Sequence, residues 1–402
     1  MWYLIIGVFC ASLSAGFTLE LERDVHPDTG LSVIELIEKY GYPIEQHQNV
    51  QTEDGYLLDV HRIPHGKNNA NETNKPVVFL MHGVLSSSAD WVNLGPERSI
   101  AFLLADAGYD IWMGNARGNT WSRKHVDYDP DWQKMSFWSF SWNEIGTYDL
   151  PAMIDYILEV TGQEKLFYIG HSQGTTSFFV MASERPEYND KIILSVQLGP
   201  AAFMDNAYNP YLKLLALYEP YLEWWSFYLG MYEFSPSSEL NGLIGEIMCR
   251  ETALWVEMCA NVIFLISGYD SDQLERDMLT VFMTNAPAGA ATRQSLHYAQ
   301  LITSGKFRKY DFGMVQNLVQ YGSIFPPDYD LSQITSPVAL FYAKNDWLVS
   351  PIDVGELIPL LPNLVYQHLI PYDKFSHLDF VWAKDVKTLL YDDVLKLMES
   401  YL

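Results

Sequence analysis

One serine lies between two glycines in a pattern that can present its hydroxyl as a nucleophile. The pattern G-x-S-x-G is filled by Gly170-His171-Ser172-Gln173-Gly174, directly after an apolar run at residues 166–169 that predicts a β-strand. Residues 175–183 predict a helix. A sharp strand-to-helix turn needs glycine on both sides of the serine, and it places the hydroxyl at the positive end of the helix dipole. The motif therefore predicts Ser172 as the nucleophile of an acyl-transfer reaction.

A serine hydroxyl is a weak nucleophile at neutral pH unless a base removes its proton, so a partner histidine is required. In folds built around this motif the base comes last in the chain. His368 and His377 both lie far enough downstream. His368 falls within a predicted strand at residues 365–370, where its ring would pack in the sheet, whereas His377 lies on the loop that follows. We therefore predict that His377 is the base.

The acid that orients the histidine is expected after the preceding strand. Residues 337–343 predict that strand, and Lys344-Asn345-Asp346-Trp347 is the turn that leaves it. Asp346 is the predicted acid, and Asp353 is the next candidate. Asp379 lies too close to His377 in the sequence to fit the usual order.

An oxyanion formed at an ester carbonyl needs two N–H donors, and both are expected from the main chain. One belongs to Gln173, the residue after the nucleophile. The other is expected in the loop after an early strand, where the apolar residues 77–81 run into His82-Gly83-Val84-Leu85. Val84 is the predicted second donor, and its neighbour Leu85 is the alternative.

The hydrophobic pattern predicts a sheet that brings these distant segments together. Residues 46–51 and 56–62 flank Glu53-Asp54-Gly55 and predict a β-hairpin. Helices are predicted at residues 99–107 and 150–160, the second with Asp149 as its cap, Pro151 in its first turn and Gly162 after its end. Nearly continuous apolar strands that alternate with helices indicate an α/β fold with a doubly wound, mostly parallel sheet. Those strands are predicted at residues 77–81, 109–113, 166–170, 192–198, 338–343 and 365–370.

The alternation stops between residues 203 and 325, where aromatic residues and helical patterns replace recognisable strands. We interpret residues 203–325 as a helical cap and lid over the carboxyl edge of the sheet. The cap is inserted into a core of residues 17–202 and 326–402. The alternative interpretation is that this stretch simply extends the core.

The first sixteen residues predict a secretory signal peptide, because an apolar run precedes small residues and no charge occurs before Glu20. A buried N-terminal strand or helix is the alternative. Once Cys10 is removed with the leader, Cys249 and Cys259 remain, and an oxidising compartment favours a disulfide between them over two free thiols. Asn71 begins the one N-glycosylation sequon. No later run is long and apolar enough to span a bilayer.

With 25 basic and 50 acidic side chains, the chain of 402 residues has a formal charge of −25. That balance excludes nucleic acid as a partner and disfavours docking on anionic membranes, because like charges repel. Any contact with lipid must therefore be apolar. The sequence contains no phosphate-binding loop, and the remaining histidines show no spacing that requires a metal, so we expect neither a cofactor nor a metal ion. Those histidines are His26, His47, His61, His65, His82, His125, His171 and His297.

Several longer runs, together with the serine motif, resemble the acidic lipase family that contains gastric lipase and lysosomal acid lipase. The runs are HGVLSSSADW at residues 82–91, GNARGNTWSRKH at 114–125, FWSFSWNEIG at 137–146, APAG at 286–289 and HLDFVW at 377–382. The resemblance implies an α/β-hydrolase core with a helical cap and a mobile lid, and hydrolysis of neutral lipid esters.

The resemblance also implies roles for individual residues. It makes Ser172 the nucleophile, Asp346 the acid and His377 the base. It also assigns the binding of the oxyanion to the main-chain N–H groups of Val84 and Gln173. Mammalian members usually have leucine where this chain has Val84, a difference that a main-chain donor tolerates. Members of the family also have a cysteine pair at this place in the cap, which supports the disulfide. The single sequon favours a secreted digestive role over a lysosomal one.

The hypothesis is thus a secreted or lysosomal lipase, a monomer whose partner is neutral lipid at an apolar interface. One alternative is a carboxylesterase that acts on soluble short-chain esters. The other is a non-catalytic lipid-binding protein on a lipase fold, which predicts the loss of a catalytic residue, and none is missing. Arg117, Arg123 and Lys124 receive no catalytic role, because a buried arginine paired with carboxylates would serve to fix the loop.

Overall fold

The computed structural model describes residues 25–234, Cys249 and residues 256–402, and it has an eight-stranded sheet at its centre. The predicted signal peptide at residues 1–16 lies outside these described residues. In chain order the strands are β1 (Glu45–Gln51), β2 (Leu57–Ile63), β3 (Val77–Met81), β4 (Asp110–Gly114), β5 (Leu166–His171), β6 (Ile192–Leu198), β7 (Glu233–Phe234), β8 (Ala290–Ala291), β9 (Val338–Tyr342) and β10 (Leu364–Leu369).

The strand order across the sheet is β1-β2-β4-β3-β5-β6-β9-β10. β1 and β2 form the predicted antiparallel hairpin, β2 is antiparallel to β4, and every pair from β4 to β10 is parallel. This is the predicted doubly wound α/β fold. β10 departs from the expectation of burial on both faces. It is the edge strand, and its side chains alternate between half-buried and exposed.

Fourteen helices surround this sheet in the described part of the chain. They are α1 (Val33–Lys39), α2 (Ile100–Asp106), α3 (Lys134–Phe137), α4 (Trp142–Glu144), α5 (Leu150–Thr161), α6 (Gln173–Glu184), α7 (Pro210–Leu229), α8 (Val256–Ser267), α9 (Leu279–Asn285), α10 (Thr292–Ser304), α11 (Met314–Tyr321), α12 (Pro351–Leu357), α13 (Asp379–Trp382) and α14 (Asp392–Glu399). The predicted helices at residues 99–107, 150–160 and 175–183 correspond to α2, α5 and α6. Pro151 lies in the first turn of α5, and Gly162 ends that helix in the left-handed conformation.

The predicted cap of α5 at Asp149 is wrong. A π-helical turn, Ile145–Asp149, leads directly into α5, and Asp149 itself has helical dihedral angles of φ −68° and ψ −51°. Its carboxylate instead accepts hydrogen bonds from the Nε–H and the main-chain N–H of Arg117, at 2.7 and 2.9 Å. Because the π-helical turn continues into α5, no free helix end occurs at Asp149, and its carboxylate pairs with a buried arginine instead.

Helices α7 to α11 all lie between β6 and β9, in the segment predicted as a helical cap. The expectation of no strand in this segment is wrong in one detail, because β7 pairs with β8 in an antiparallel ribbon two residues long. Strands this short show no alternation of side chains that a sequence pattern could reveal. The predicted disulfide joins Cys249 to Cys259, with 5.5 Å between their Cα atoms. The division of the chain into core and cap stays a prediction.

The sheet is covered on both faces by apolar clusters, because successive residues of a strand point to opposite sides. In β3, Val78 and Leu80 pack on one face, and Val77, Phe79 and Met81 pack on the other. The sheet is therefore a rigid platform whose carboxyl edge can hold loops in fixed positions. Within residues 25–234, 249 and 256–402, no helix is both long and apolar enough to cross a membrane.

Candidate active site

Ser172 lies at a sharp turn between β5 and α6. Its dihedral angles are φ 52° and ψ −114°, a backbone conformation that residues other than glycine rarely adopt. The flanking glycines are required by close approach of the main chain. A Cβ atom at Gly174 would lie 2.2 Å from the carbonyl oxygen of Met81, and one at Gly170 would lie 2.8 Å from the carbonyl carbon of Gly174. The predicted nucleophile elbow is therefore present in the structure.

The three residues predicted for catalysis meet at the carboxyl edge of the sheet. His377 Nε2 lies 2.7 Å from Ser172 Oγ, and His377 Nδ1 lies 2.7 Å from Asp346 Oδ2. All three side chains are buried, with 8, 2 and 0% of the surface of Ser172, His377 and Asp346 exposed. Such a chain of hydrogen bonds can pass the serine proton to the imidazole while the carboxylate fixes the ring.

Asp346 is oriented by the turn in which it lies. Its Oδ1 accepts hydrogen bonds from the main-chain N–H groups of Leu348 and Val349, at 2.9 and 2.8 Å. Oδ2 is thereby left to accept the Nδ1–H of His377. With its proton on Nδ1, the imidazole presents the unprotonated Nε2 to the serine, which is the tautomer that a general base requires.

The alternative acids and base lie elsewhere. Asp353 accepts hydrogen bonds from Asn206 and Ser350 at the start of α12. Asp379 accepts the main-chain N–H of Ser376, within the loop that carries His377. His368 lies on the edge strand β10, with its nearest acidic atom, an Asp393 oxygen, 3.8 Å away.

The loops that carry Asp346 and His377 are held by contacts that the sequence did not reveal. The carbonyl of Ser267, the last residue of α8, accepts hydrogen bonds from the main-chain N–H groups of His377 and Trp347, at 3.1 and 3.2 Å. His171 Nε2 donates to the carbonyl of His377, at 3.0 Å. Burial, followed by the neighbouring His377, lowers the pKa of His171 to about 3, so this ring is neutral. In the sequence, only the position of His171 inside the serine motif indicated a role for this residue at the site.

The loop after β3 passes directly beside the nucleophile. A Cβ atom at Gly83 would lie 3.3 Å from Ser172 Cβ. The carbonyl of Gly83 accepts hydrogen bonds from His82 Nδ1–H, at 2.7 Å, and from the Ser86 N–H, at 3.3 Å. Because a trans peptide points its C=O and N–H in opposite directions, the Val84 N–H is turned away from these donors. Among the described residues it has no hydrogen-bond partner.

The second predicted donor, the N–H of Gln173, belongs to the first residue of α6. N–H groups in the first turn of a helix lack an intrahelical acceptor, so this group is free to bind an anion. The N–H of Leu85, the alternative to Val84, likewise has no hydrogen-bond partner among the described residues, while its carbonyl accepts the N–H of Ala288 at 2.7 Å.

His82 connects the loop after β3 to the run at residues 114–125. Its Nε2 accepts hydrogen bonds from the Ala116 N–H, at 3.1 Å, and from Asn119 Nδ2, at 3.2 Å. Burial lowers the pKa of His82 to about 4, so the ring is neutral and carries its proton on Nδ1. The carbonyl of Ala288, in the run at residues 286–289, accepts the Thr120 N–H at 2.8 Å. The run at residues 82–91, which contains the loop after β3, is thus bonded to the runs at residues 114–125 and 286–289.

Arg117 has the structural role predicted for it. The side chain is fully buried and forms ion pairs with Asp149, at 2.7 Å, and with Asp54, at 2.6 Å. Burial opposes its charge, but the two carboxylates raise the pKa of Arg117 above its ordinary value. Arg123 and Lys124 lie nearer to the surface. Arg123 pairs with Asp131 and Glu233, and Lys124 is half exposed with Asp59 3.9 Å away.

The strongly apolar helix α7 begins beside the loop that carries Asp346. The N–H of Asn209, the residue that caps α7, donates to the carbonyl of Trp347 at 2.9 Å. Many large apolar side chains of α7 are exposed to solvent. They are Tyr211, Leu214, Leu217, Tyr218, Tyr221, Leu222, Trp224, Trp225, Phe227, Tyr228 and Leu229.

In the described part of the chain, no group of three or more His, Cys, Asp or Glu side chains is arranged to hold a metal ion.

Family models match two overlapping parts of the chain. Residues 33–95 match a model described as a partial alpha/beta-hydrolase lipase region, and residues 76–219 match one described as the alpha/beta hydrolase fold. Among solved structures, a protein from Sulfolobus solfataricus is similar with a TM-score of 0.58 and 16% sequence identity, over 89% of this chain and 94% of that one. At that identity the likeness shows the fold alone.

Named lipases are similar over almost the whole chain. Lipase 3 of Drosophila melanogaster is 50% identical over 371 residues, which cover 91% of this chain and 92% of that protein. Gastric triacylglycerol lipase of Bos taurus is 41% identical over 401 residues and 99% of both chains. The lysosomal acid lipase/cholesteryl ester hydrolase of Homo sapiens is 40% identical over 379 residues, covering 94% of this chain and 93% of that protein.

Proposed function

The chain belongs to the lipase family that contains gastric and lysosomal acid lipases, within the serine ester hydrolases of the α/β-hydrolase fold, and from this premise we propose that it hydrolyses neutral lipid esters through an acyl-enzyme on Ser172. The observation that carries the proposal is the hydrogen-bonded chain from Ser172 Oγ through His377 to Asp346, with both distances at 2.7 Å. The acyl donor is a triacylglycerol, a steryl ester or both.

The first half of the reaction forms the acyl-enzyme. His377 Nε2 removes the Ser172 proton as Oγ attacks the ester carbonyl carbon, and the carbonyl oxygen takes up negative charge. The N–H groups of Val84 and Gln173 stabilise this oxyanion. Each such donor contributes about 3–4 kcal/mol to stabilisation of the transition state. The tetrahedral intermediate then collapses, and His377 gives its proton to the departing alcohol.

The second half releases the fatty acid. Water enters the place of the alcohol, loses a proton to His377 Nε2 and attacks the acyl carbonyl, and the same two N–H groups hold the second oxyanion. Collapse returns the proton to Ser172 Oγ. Throughout both steps Asp346 accepts the Nδ1–H of His377, which keeps the ring in place and stabilises the imidazolium.

A lipid substrate is favoured by the surface beside the site. The helix α7 starts at the loop that carries Asp346 and exposes a row of aromatic and aliphatic side chains, which a soluble protein would ordinarily bury. A charge of −25 disfavours anionic surfaces, whereas an apolar face can meet uncharged lipid. Two relatives are named for triacylglycerol and cholesteryl ester hydrolysis. We therefore place residues 203–325 as a cap and lid that shelters long acyl chains.

The same proposal includes secretion. Residues 1–16 have the composition of a signal peptide, and the disulfide between Cys249 and Cys259 suits an oxidising compartment. Asn71, which begins the sequon, is exposed in the structure and therefore accessible to glycosylation. The single sequon favours the extracellular or gut lumen over the lysosome.

The decisive experiment measures the turnover of three substrates by the purified mature protein: an emulsified triacylglycerol, an emulsified steryl ester and a dissolved short-chain ester. Hydrolysis of either emulsion above that of the soluble ester supports the proposal. Turnover of the soluble ester alone would instead make the protein a carboxylesterase. Ser172→Ala is expected to lower every rate by a factor of about 10⁴ or more, while Ser183→Ala, on the same helix away from the site, leaves the rates unchanged. Wild-type rates in Ser172→Ala would overturn the mechanism.

A further inference from the structure

The helix α11 exposes its apolar side chains to solvent, alongside the polar Gln316 and Gln320, which an ordinary surface helix does not do. Val315 and Val319 are each 79% exposed, and Met314 and Leu318 are 67 and 56% exposed. The one buried residue of the helix is Asn317. In a helix that packs on its own protein, the apolar side chains face the core and the polar ones face water. The exposed apolar side chains of α11 therefore do not pack against the rest of the protein and do not stabilise its fold.

The helix is held in this orientation by polar contacts. Asn317 Nδ2 donates to Asp311 Oδ1, at 2.7 Å, and to the carbonyl of Ile324, at 3.1 Å, while Asn317 Oδ1 accepts the Phe312 N–H at 2.9 Å. Tyr321 at the end of the helix donates its hydroxyl proton to the carbonyl of Tyr310, at 2.9 Å. These bonds fix both ends of α11, so its exposed face is a rigid feature of the surface.

The segment that forms α11 and its flanks carries no charged side chain of its own, and the nearest charges, Lys306, Arg308 and Asp328, line a pocket beside Tyr321 and Phe325. Residues 312–327 contain no Asp, Glu, Lys or Arg, although such residues make up 19% of the chain. Ile324 and Phe325, which follow the helix, are 45 and 65% exposed. We call the six exposed apolar side chains Met314, Val315, Leu318, Val319, Ile324 and Phe325 the 314–325 surface.

The base of α11 is bonded to the apolar helix α7. Tyr310 donates its hydroxyl proton to Glu223, at 2.8 Å, and Gln300 bridges the main chain of Asp311 to Glu219, with bonds of 2.8 to 3.0 Å. Both glutamates lie on α7. The segment that leads into α11 is thus joined to α7.

We propose that the 314–325 surface is a second docking site, separate from α7, by which the protein binds the uncharged surface of a neutral lipid aggregate. The proposal rests on the proposed function, because it takes the aggregate to be the source of the substrate. An apolar patch whose own segment carries no charge, on a protein of charge −25, matches an uncharged lipid surface better than an anionic one.

A second copy of the chain is a poorer occupant. A helix of eight residues is about 12 Å long, and one face of it cannot supply the roughly 800 Å² per partner that a stable interface buries. A lipid surface sets no such minimum area, because each apolar side chain that enters it adds its own burial. Binding through the 314–325 surface would hold the protein at the aggregate while α7 and the site engage single molecules.

The test places charge on this surface and measures adsorption separately from chemistry. The variant Val315→Asp/Val319→Asp and the wild type are mixed with uncharged triacylglycerol droplets, the droplets are floated by centrifugation and the bound protein is measured. We expect the double variant to bind droplets about tenfold more weakly and to hydrolyse a dissolved short-chain ester at the wild-type rate. The matched control is Val126→Asp/Val160→Asp, which adds the same two charges at exposed valines outside the 314–325 surface, and it should bind as the wild type does.

Undiminished droplet binding by the double variant would overturn the inference, even if the wild type proves to be a lipase. Failure of the wild type to hydrolyse emulsions would overturn the proposed function instead, and the binding measurement would still decide the surface. If the double variant loses soluble-ester activity as well, the milder Val315→Ser/Val319→Ser decides, and it should also bind droplets more weakly. A wild-type dimer that the variant converts to a monomer would assign the surface to a second copy and reject lipid docking.

Discussion

Arg117 and Asp149 form an ion pair in the interior, with 2.7 Å between the guanidinium and the carboxylate and neither side chain exposed to solvent. Asp54 accepts two further hydrogen bonds from the same guanidinium. The pair anchors the turn that contains Ala116 and Asn119, the two residues that bind His82 Nε2. Arg117 therefore supports the turn of Ala116 and Asn119, and that turn holds His82 beside the loop of the predicted oxyanion donor Val84.

Arg117→Met should destabilise the fold strongly, because it leaves the Asp149 carboxylate buried without its partner. Breaking a buried pair in this way costs about 3–5 kcal/mol of the free energy of unfolding. The comparison is Lys387→Met, which removes a lysine that is 42% exposed and pairs with Asp392 at the surface. That change should cost less than about 1 kcal/mol. Urea denaturation of both variants checks the prediction, and equal losses would contradict it.

A carboxyl pair beside the His377 loop predicts a dependence of stability on pH. Burial in the first place, with the negative charge of Asp270 adding to it, raises the pKa of Asp379 well above its ordinary value. Burial also raises the pKa of Asp270. Asp379 therefore keeps a proton in the folded protein that it loses in the unfolded chain. Its contribution to stability is complete below the pKa of the unfolded chain and is lost as the pH rises through the pKa of the folded state.

Asp379→Asn should remove this dependence, since asparagine does not titrate and its side-chain oxygen can still accept the Ser376 N–H. Between the two pKa values, the stability of the wild type should fall relative to the variant by up to about 1.4 kcal/mol per pH unit. Urea denaturation from about pH 5 to about pH 8 gives the slope. Asp127→Asn, at an exposed aspartate, serves as control. Parallel curves for the wild type and Asp379→Asn would show that Asp379 does not keep a proton in the folded protein.

The sheet could be predicted closely because its signals are local. β3 and β6 have the predicted bounds, and β5 is longer by one residue, since buried parallel strands leave short, continuous apolar runs in the sequence. Ser172, Asp346 and His377 could be selected because the fold fixes their order and each follows a strand. The structure brings these three together and leaves Asp353 and His368 apart.

The contacts that hold the site could not be predicted, because they depend on which segments meet in three dimensions. Ser267 contributes a main-chain carbonyl, for which its residue type gives no signal. Asp149 has the residue type of a helix cap, but a buried arginine far away in the sequence competes for its carboxylate. His82 was noted as part of a His-Gly pair, yet its partners Ala116 and Asn119 emerge only from the packing of two loops.

His82 is a positioning residue in the proposed mechanism, because its Nδ1–H fixes the Gly83 carbonyl and thereby the direction of the Val84 N–H. His82→Ala should lower kcat by about tenfold to a hundredfold with little change in KM, less than the loss of about 10²–10³ seen when an oxyanion donor is removed outright. His82→Asn keeps a side-chain N–H near the Nδ1 position and should recover part of the rate. A dissolved ester is the substrate, so that adsorption plays no part. An unchanged kcat in His82→Ala would contradict the role.

Gly174 tests how closely α6 must approach the strand that leads to the oxyanion loop. In Gly174→Ala the new Cβ would lie 2.2 Å from the Met81 carbonyl oxygen and 3.2 Å from that of His82. Both are main-chain atoms, so relief requires β3 or α6 to move. We expect a loss of more than about 3 kcal/mol in the free energy of unfolding. Gly162→Ala is the control, because Gly162 has φ +68° but open space around it, and it should lose only about 1 kcal/mol.

Activity distinguishes the two glycine variants further. Any movement that relieves the contact at Gly174 separates Ser172 from the loop of Gly83 and Val84, so the protein that still folds should have a reduced kcat. Gly162 lies at the far end of α5, and folded Gly162→Ala should have the wild-type kcat. The measurement is the rate on a dissolved ester below the unfolding temperature of each variant. A stable, fully active Gly174→Ala protein would show that the elbow does not require this close approach.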